Sequence, residues 1–396
     1  SFSRVNKFDG FDCPGCAWPD PDDNRTIAEF CENGAKAIAD EGTKKKADPN
    51  FWSKWTISEL SEKSDQWLNS QGRITDPMIL REGSEKYERI LWPDAFSIIA
   101  GELSQLENSD KAIFYTSGRT SNEAAFLWQL LARSYGTNNL PDCSNMCHES
   151  SGVALSETIG IGKGTVKLED FEKADLIIVV GQNPGTNHPR MLTALRDAKK
   201  SGASIISINP LKEKGMIRFK HPQNPLELFG YGTAIADDHV RVRINGDMAL
   251  FRGFAKEIFS SKCEDSNFIH RYTTGSDDYR KIVENTGWEE ISEISGIEIS
   301  EIRRIGRIIG SAESVITCWA MGLTQHQNSV ATIQEISNLH LLCGHIGNPG
   351  SGLCPVRGHS NVQGDRTVGI NHKPSEEFLK SLETKFQISL NRSGGY

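Results

Sequence analysis

Leu176-Ile177-Ile178-Val179-Val180-Gly181-Gln182-Asn183-Pro184 decides the fold of this chain. Five apolar residues run without a polar break, then stop at a glycine followed by polar residues. Such a run reads as a strand buried on both faces. A second run, Ser204-Ile205-Ile206-Ser207-Ile208, ends in Asn209-Pro210. Residues 190–200 between them read as a helix, and 314–319 as a further strand. Strands alternating with helices argue an α/β protein with a doubly wound parallel sheet. Open sheets of that kind bind large nucleotide-like ligands outside the carboxyl ends of their strands. Gly181, Gln182, Asn183 and Asn209 are then candidate contacts, because Asn side chains and backbone N–H groups suit pyrophosphate, ribose and base edges. The plainer alternative is that Gly-x-Asn-Pro and Asn-Pro only turn the chain.

Ahead of these strands stands 138–148, which closes in Cys147-His148. An isolated cysteine is usually a packing thiol. Its place before two sheet strands, beside a ligand crevice, leaves Cys147 open as a metal ligand, a nucleophile or an ordinary thiol. His148, with an ordinary pKa of about 6.5, becomes a candidate proton acceptor beside it. Far upstream lie Cys13-Pro14-Gly15-Cys16 and then Cys31. A CxxC alone binds zinc, a cluster or nothing. An iron–sulfur cluster asks for a fourth ligand. Asp20 stands where a C-x2-C-x3-C motif would place a cysteine, and carboxylate is a harder donor than thiolate. Gly160-Ile161-Gly162-Lys163-Gly164 looks like a phosphate loop, but it does not complete GxGxxG and no strand precedes it. That leaves little support for a nicotinamide site. His148-Glu149-Ser150-Ser151 lacks the second histidine of a zinc protease, and no Ser-His-Asp arrangement is visible.

A chain of 396 residues exceeds one simple core and is expected to form two or three domains. The net charge of −8 and the absence of a long basic run argue against nucleic-acid partners. No apolar stretch approaches the roughly 20 residues needed to span a bilayer, so no direct membrane insertion is expected. No export signal is visible, which points to a cytoplasmic setting. Nine cysteines, odd in number and unevenly spaced, favour reduced thiols and metal ligands over a disulfide framework. Cys318, Cys343 and Cys354 read as packing residues. The expected organisation is an irregular region over 1–80 stapled by a metal centre, an α/β domain made of 81–142 and 337–396, and an α/β dinucleotide domain over 143–336. Within 81–142, a helix starts at Trp92, 112–115 is a short strand, and Ser121 or Asn122 caps a long helix. Residues 347–365 read as a long functional loop.

Taken together, several segments resemble the molybdopterin oxidoreductase (dimethyl sulfoxide reductase) family, and within it the formate dehydrogenase-like alpha subunits. They are Cys13-Pro-Gly-Cys16, Thr116-Ser-Gly-Arg-Thr-Ser-Asn-Glu123, the 138–148 block, Gly181-Gln-Asn-Pro-Gly-Thr-Asn-His-Pro189 and Asn209-Pro210. Met321-Gly-Leu-Thr-Gln325, Gly344-His-Ile-Gly-Asn-Pro349 and Pro355-Val-Arg-Gly-His-Ser-Asn-Val-Gln-Gly364 complete the set, in the family's order. The resemblance implies molybdenum bis(molybdopterin guanine dinucleotide), a [4Fe–4S] cluster and two-electron chemistry on a small-molecule substrate. Electrons would leave through the cluster to an electron-transfer protein. It implies Cys147 as metal ligand and His148 as the proton-handling residue. Gln182, Asn183, His188 and Asn209 would lie near one guanine dinucleotide, and Ser117, Asn122, Gly322, Arg357 and Gln363 around pterins and phosphates. Cys13, Cys16, Asp20 and Cys31 would hold the cluster.

Three positions depart from the family pattern. Asp20 replaces a cluster cysteine. Asn33 replaces a lysine between cluster and pterin, with Lys36 one turn on as its substitute. Gln334 replaces the arginine of true formate dehydrogenases, which removes a bidentate carboxylate clamp. Formate is then expected to be a poor substrate, improved by Gln334→Arg. The family's C-terminal barrel domain is expected to be absent from this chain. A non-catalytic cofactor-carrying or assembly subunit is the rival reading.

Overall fold

A computed structural model describes residues 2–22, 25–26 and 29–395, apart from the side chains of Pro225 and Leu228. The chain divides into two compact units. One comprises Ser1–Asp12, Cys16–Cys31 and Cys143–Ser360; the other comprises Cys13–Gly15, Glu32–Asp142 and Asn361–Tyr396.

The first unit is built on five parallel strands: Leu176–Val180 (β1), Ser204–Ile208 (β2), Asp238–Val240 (β3), Val315–Trp319 (β4) and Gly352–Pro355 (β5). Their order across the sheet is β3-β2-β1-β4-β5. The apolar run of β1 is buried at every residue. Successive side chains alternate between faces, so Leu176, Ile178 and Val180 enter one core while Ile177 and Val179 enter another. Helices cover both faces: Glu149–Ile159 (α1), Pro189–Lys200 (α2), Asp247–Ser261 (α3), Ile299–Ser311 (α4) and Ser329–Leu342 (α5). Met191, Leu192, Leu195 and Ala198 form the buried stripe of α2, and Pro189 fits its first turn, where no N–H partner is needed. Phe251, Phe254, Ala255 and Ile258 of α3 are fully buried, each large side chain contributing about 1.5–3 kcal/mol. α3 and α4 approach closely: a Cβ on Gly253 would stand 2.7 Å from Ile302, and one on Gly306 would stand 2.8 Å from Glu257.

The second unit has its own small core of Ala112, Phe114, Ala125, Ala132, Leu140 and Ile370. Its helix Asn122–Tyr135 is capped by Ser121, whose hydroxyl accepts from the Ala124 amide, and ends at Gly136 with φ 108°. The buried guanidinium of Arg133 donates to Gln129, Asn138 and the carbonyls of Gly369 and Asn371. Burial lowers its pKa to about 10.

Several expectations are corrected. Residues 1–80 are not irregular: Glu32–Glu41, Pro49–Lys54, Ile57–Ser61 and Asp65–Asn69 are helical. The last three are too short to show a hydrophobic period and are set instead by caps at Asp48, Thr56 and Ser64. Residues 112–115 join no ladder; Phe114 donates to the Asn139 carbonyl and Thr116 bridges Asp142. The 347–365 segment contains β5 and the start of the helix Val362–Thr367. The chain passes to the second unit after Ser360, not at 337, because β5 pairs with β4. Gly160, at φ 77°, terminates α1 and opens no phosphate loop. No helix among the described residues is long and apolar enough to cross a membrane.

Candidate functional site

The strand order reverses direction between β1 and β4, and a ligand crevice is expected at such a switch point. The backbones after these two strands touch: the Gly322 amide donates to the Gly181 carbonyl at 3.0 Å. A Cβ on Gly322 would stand 2.5 Å from that oxygen, and Gly181 holds φ 56°. Both positions therefore require glycine. Beyond Gly181, Asn183 caps a helical turn through its side-chain oxygen and donates to Glu213 at 2.7 Å. Asn209, at the end of β2, donates to the Gln182 carbonyl at 3.3 Å. His188 is buried, and its Nε2 lies 2.7 Å from the Arg357 carbonyl. A carbonyl only accepts, so that nitrogen carries the proton. Nδ1 of His188 faces Gln182 Nε2 at 3.5 Å. Gln182 Nε2 also meets Met191 Sδ, while its Oε1 is buried without a partner among the described residues.

The thiol of Cys147 is half-buried at the end of the short helix Cys143–Cys147. His148 follows at the entry to α1 and is 1 % exposed. Its Nδ1 lies 3.0 Å from Ser151 Oγ, which in turn accepts from the Trp319 indole at 3.0 Å. Its Nε2 is buried with no partner among the described residues. Arg357 donates to the His148 carbonyl and to that of Gly162, both at 3.3 Å. Burial, with Arg357 nearby, pushes the His148 pKa down to about 3. The loop after β4 is tied to the same turn: Gln325 donates to the Met146 carbonyl at 2.6 Å, and Ser150 to the Thr324 carbonyl at 3.4 Å. One unit thus gathers Cys147, His148, Gly181, Gln182, Asn183, His188, Asn209, Gly322 and Arg357.

Other expected positions lie apart from this group. Gln334, on α5, donates to Glu157 at 2.6 Å on the surface. Glu157 is nine residues along α1 from His148, about 14 Å of helix rise. Asp20 is ion-paired with Arg190 at 2.6 Å and lies 3.8 Å from Arg25. Trp18 beside it is buried edge-on against Phe171. Among the described residues, no three His, Cys, Asp or Glu side chains gather in metal-holding geometry. Cys13 falls in the second unit, and Cys16, Asp20 and Cys31 in the first. Lys36 is exposed and paired with Glu32. In the second unit, Ser117 and Asn122 share a turn that the 361–364 segment meets: Asn361 donates to the Gly118 carbonyl at 2.7 Å and to Asn122 at 2.9 Å. Gln363 sits in the first turn of the helix that follows.

The sequence reading missed Asp247. The residue is 3 % exposed at the start of α3, and its carboxylate lies 4.0 Å from His326 Nδ1. Burial raises its pKa to about 7. His326 Nδ1 and the nearby Asn328 Oδ1 have no hydrogen-bond partner among the described residues. The signal available was a carboxylate at a helix start after a sheet strand, too common a pattern to single out.

The molybdopterin oxidoreductase family profile matches residues 73–390. The chain belongs to the molybdopterin oxidoreductase family. An uncharacterized oxidoreductase of Mycobacterium tuberculosis, Rv2900c, is 52% identical over 402 residues, covering 100% of this chain and 52% of that protein. Formate dehydrogenase H of Escherichia coli is 32% identical over 315 residues, covering 78% of this chain and 42% of that protein. The chain thus spans about half the length of the curated relatives it matches. Acetylene hydratase from Pelobacter acetylenicus shares the fold at 17% identity, with a TM-score of 0.63 over 82% of this chain and 39% of that one. The family's molybdopterin cofactor fits the residues present. Gln182 Oε1 and His148 Nε2 are buried polar atoms awaiting partners, and the Arg357 guanidinium lies beside His148 to offset anionic groups.

Proposed function

We propose that this chain is the portion of a molybdenum-dependent oxidoreductase that carries the metal's side-chain ligand, Cys147, and its proton-handling neighbour, His148. The substrate would be a small molecule, and the chemistry formate dehydrogenase-like in type. One observation carries the reading: the buried, unpaired Nε2 of His148 stands directly after a cysteine in the unit whose sheet reverses order between β1 and β4. Molybdenum bis(molybdopterin guanine dinucleotide) would supply the two-electron chemistry when bound. Cys147 would offer it one soft thiolate. Gln182, Asn183, His188 and Asn209 line the end of β1 and β2, where they would hold a guanine dinucleotide. Gly181 and Gly322 keep that edge free of side chains. Arg357 steadies the His148 backbone while placing a cation nearby. The burial of His148 keeps water from its ring. Gln334 is engaged by Glu157, so no fixed cation from this position favours formate. The Asp20–Arg190 pair gives no support to electron exit through a four-ligand cluster at Cys13, Cys16, Asp20 and Cys31.

Metal and pterin analysis of the full-length protein, with X-ray absorption at the molybdenum edge, tests this. The expected result is bound molybdenum (or tungsten) with pterin, and loss of one metal–sulfur distance in Cys147→Ala. Protein without either metal or pterin, or an absorption spectrum unchanged by Cys147→Ala, overturns it.

A further inference from the structure

We propose that Ser151 and Trp319 fix the tautomer of His148, keeping its ring proton on Nε2 and leaving Nδ1 as the acceptor. The inference rests on the reading of His148 as the residue next to the metal ligand, and it changes that residue's resting role from proton acceptor to hydrogen-bond donor.

The argument is one of donor counting. An indole N–H can only donate, and Trp319 Nε1 lies 3.0 Å from Ser151 Oγ. Ser151 therefore accepts there. Its own hydroxyl proton needs an acceptor, because Ser151 is fully buried. Among the described residues, the remaining partner of that oxygen is His148 Nδ1, at 3.0 Å. If Nδ1 carried a proton, in the other tautomer or in the imidazolium, two donors would face one oxygen and the serine O–H would be stranded. A buried donor left unmet forfeits its desolvation cost without return. The stable arrangement runs Trp319 N–H to Ser151 oxygen, then Ser151 O–H to His148 Nδ1. The neutral ring then bears its hydrogen on Nε2, which has no partner in hydrogen-bond geometry among the described residues; the Val356 carbonyl, close to the ring, favours a protonated ring nitrogen. The Nε2 hydrogen is offered to an acceptor on a bound ligand or substrate, an oxygen or a sulfur. Trp319 closes β4 and Ser151 lies in the first turn of α1, so two rigid elements hold the relay. Ser151 and Trp319 are positioning residues; they act through the ring.

Long-range nitrogen–proton correlation spectra of the full-length protein, labelled with 15N-histidine and assigned against His148→Gln, test this without requiring bound metal. In the wild type, Nε2 should resonate as the protonated, pyrrole-type nitrogen and Nδ1 as the bare, pyridine-type one. Ser151→Ala should give a mixture or reversal of the two. Ser151→Thr, which keeps the hydroxyl, should restore the wild-type pattern. A protonated Nδ1 in the wild type, or a wild-type pattern that survives Ser151→Ala, overturns the proposal. If Ser151→Ala does not fold, Ser151→Gly serves: it too removes the hydroxyl that donates to Nδ1, and a pattern unchanged from the wild type counts against the relay. The two readings fail separately. Nδ1 protonation with a molybdenum-loaded, His148-dependent enzyme sinks the relay alone. Nε2 protonation in a protein that never binds metal or pterin sinks the functional reading alone.

Discussion

The end of β1 and the segment around Asp20 belong to the same unit, yet their polar groups are treated in opposite ways. At the end of β1, Gln182 and His148 are buried with an atom each left unmet. Around Asp20 the charged groups are partly buried but paired with opposite charges: Asp20 with Arg190, Arg25 with Glu29, Lys7 with Glu29, and only Arg25 Nε is left unmet among the described residues of these pairs. A buried unmet group is costly unless a ligand meets it. A charge already met by its opposite asks for no ligand. The first pattern marks a surface built for something bound; the second marks a segment fastened down.

The largest test of this contrast lies at Asp247, which belongs to the buried class. Its pKa rises from 3.8 to about 7 in the fold. The native state then holds a proton that the unfolded chain releases. On this account stability is greatest below about pH 4, falls as pH rises toward 7, and is flat above that. Asp247→Asn should remove the slope and make the protein roughly 4 kcal/mol more stable than wild type at pH 8, by the usual conversion of pKa shift to free energy. Urea unfolding at pH 5 and pH 8 checks it; parallel curves for both proteins would show that Asp247 is not held neutral by burial.

A smaller effect is expected at Gln182. Gln182→Leu removes the unmet oxygen and should raise the unfolding free energy of cofactor-free protein by about 1 kcal/mol. The same change should weaken pterin retention on gel filtration. Destabilisation together with full retention would place Gln182 among the fastening residues instead.

Smaller again is Asp20. Its ion pair is partly exposed, so Asp20→Asn should cost no more than about 1 kcal/mol. Iron content, whatever its wild-type value, should be unchanged. Iron lost in Asp20→Asn would return the residue to the role of ligand.

The least effect belongs to Gln334→Arg. The new guanidinium would meet Glu157 on the surface, where exposed pairs contribute about 0–1 kcal/mol. Formate-dependent dye reduction should stay within a few-fold of wild type, on the scale of roughly tenfold per 1.4 kcal/mol. A large gain would mean that position 334 reaches the site after all.

What was legible in the sequence follows from range. The runs at 176–180 and 204–208 are strands because both faces are buried, and that leaves an unbroken apolar signature. The helix after Ser121 carries its own cap. Long-range partners left no such trace. Ser151 and Trp319 lie 168 residues apart, and nothing local links them to His148. Asp20 matched a ligand spacing, but spacing cannot reveal that Arg190 waits for it. Gln334 matched a family position, while the helix pairing that gives it to Glu157 is set by how α1 and α5 pack.

The docking of Trp18 and Asp20 also bears on how the chain is made. Asp20 meets Arg190 across 170 residues of sequence. At synthesis rates of about 5–20 residues per second, that separation is on the order of 10–30 s. Cys16, two residues before Trp18, therefore spends that time on a nascent segment whose packing partners have not yet left the ribosome. Its thiol is open to oxidants before the α/β core exists to shelter it.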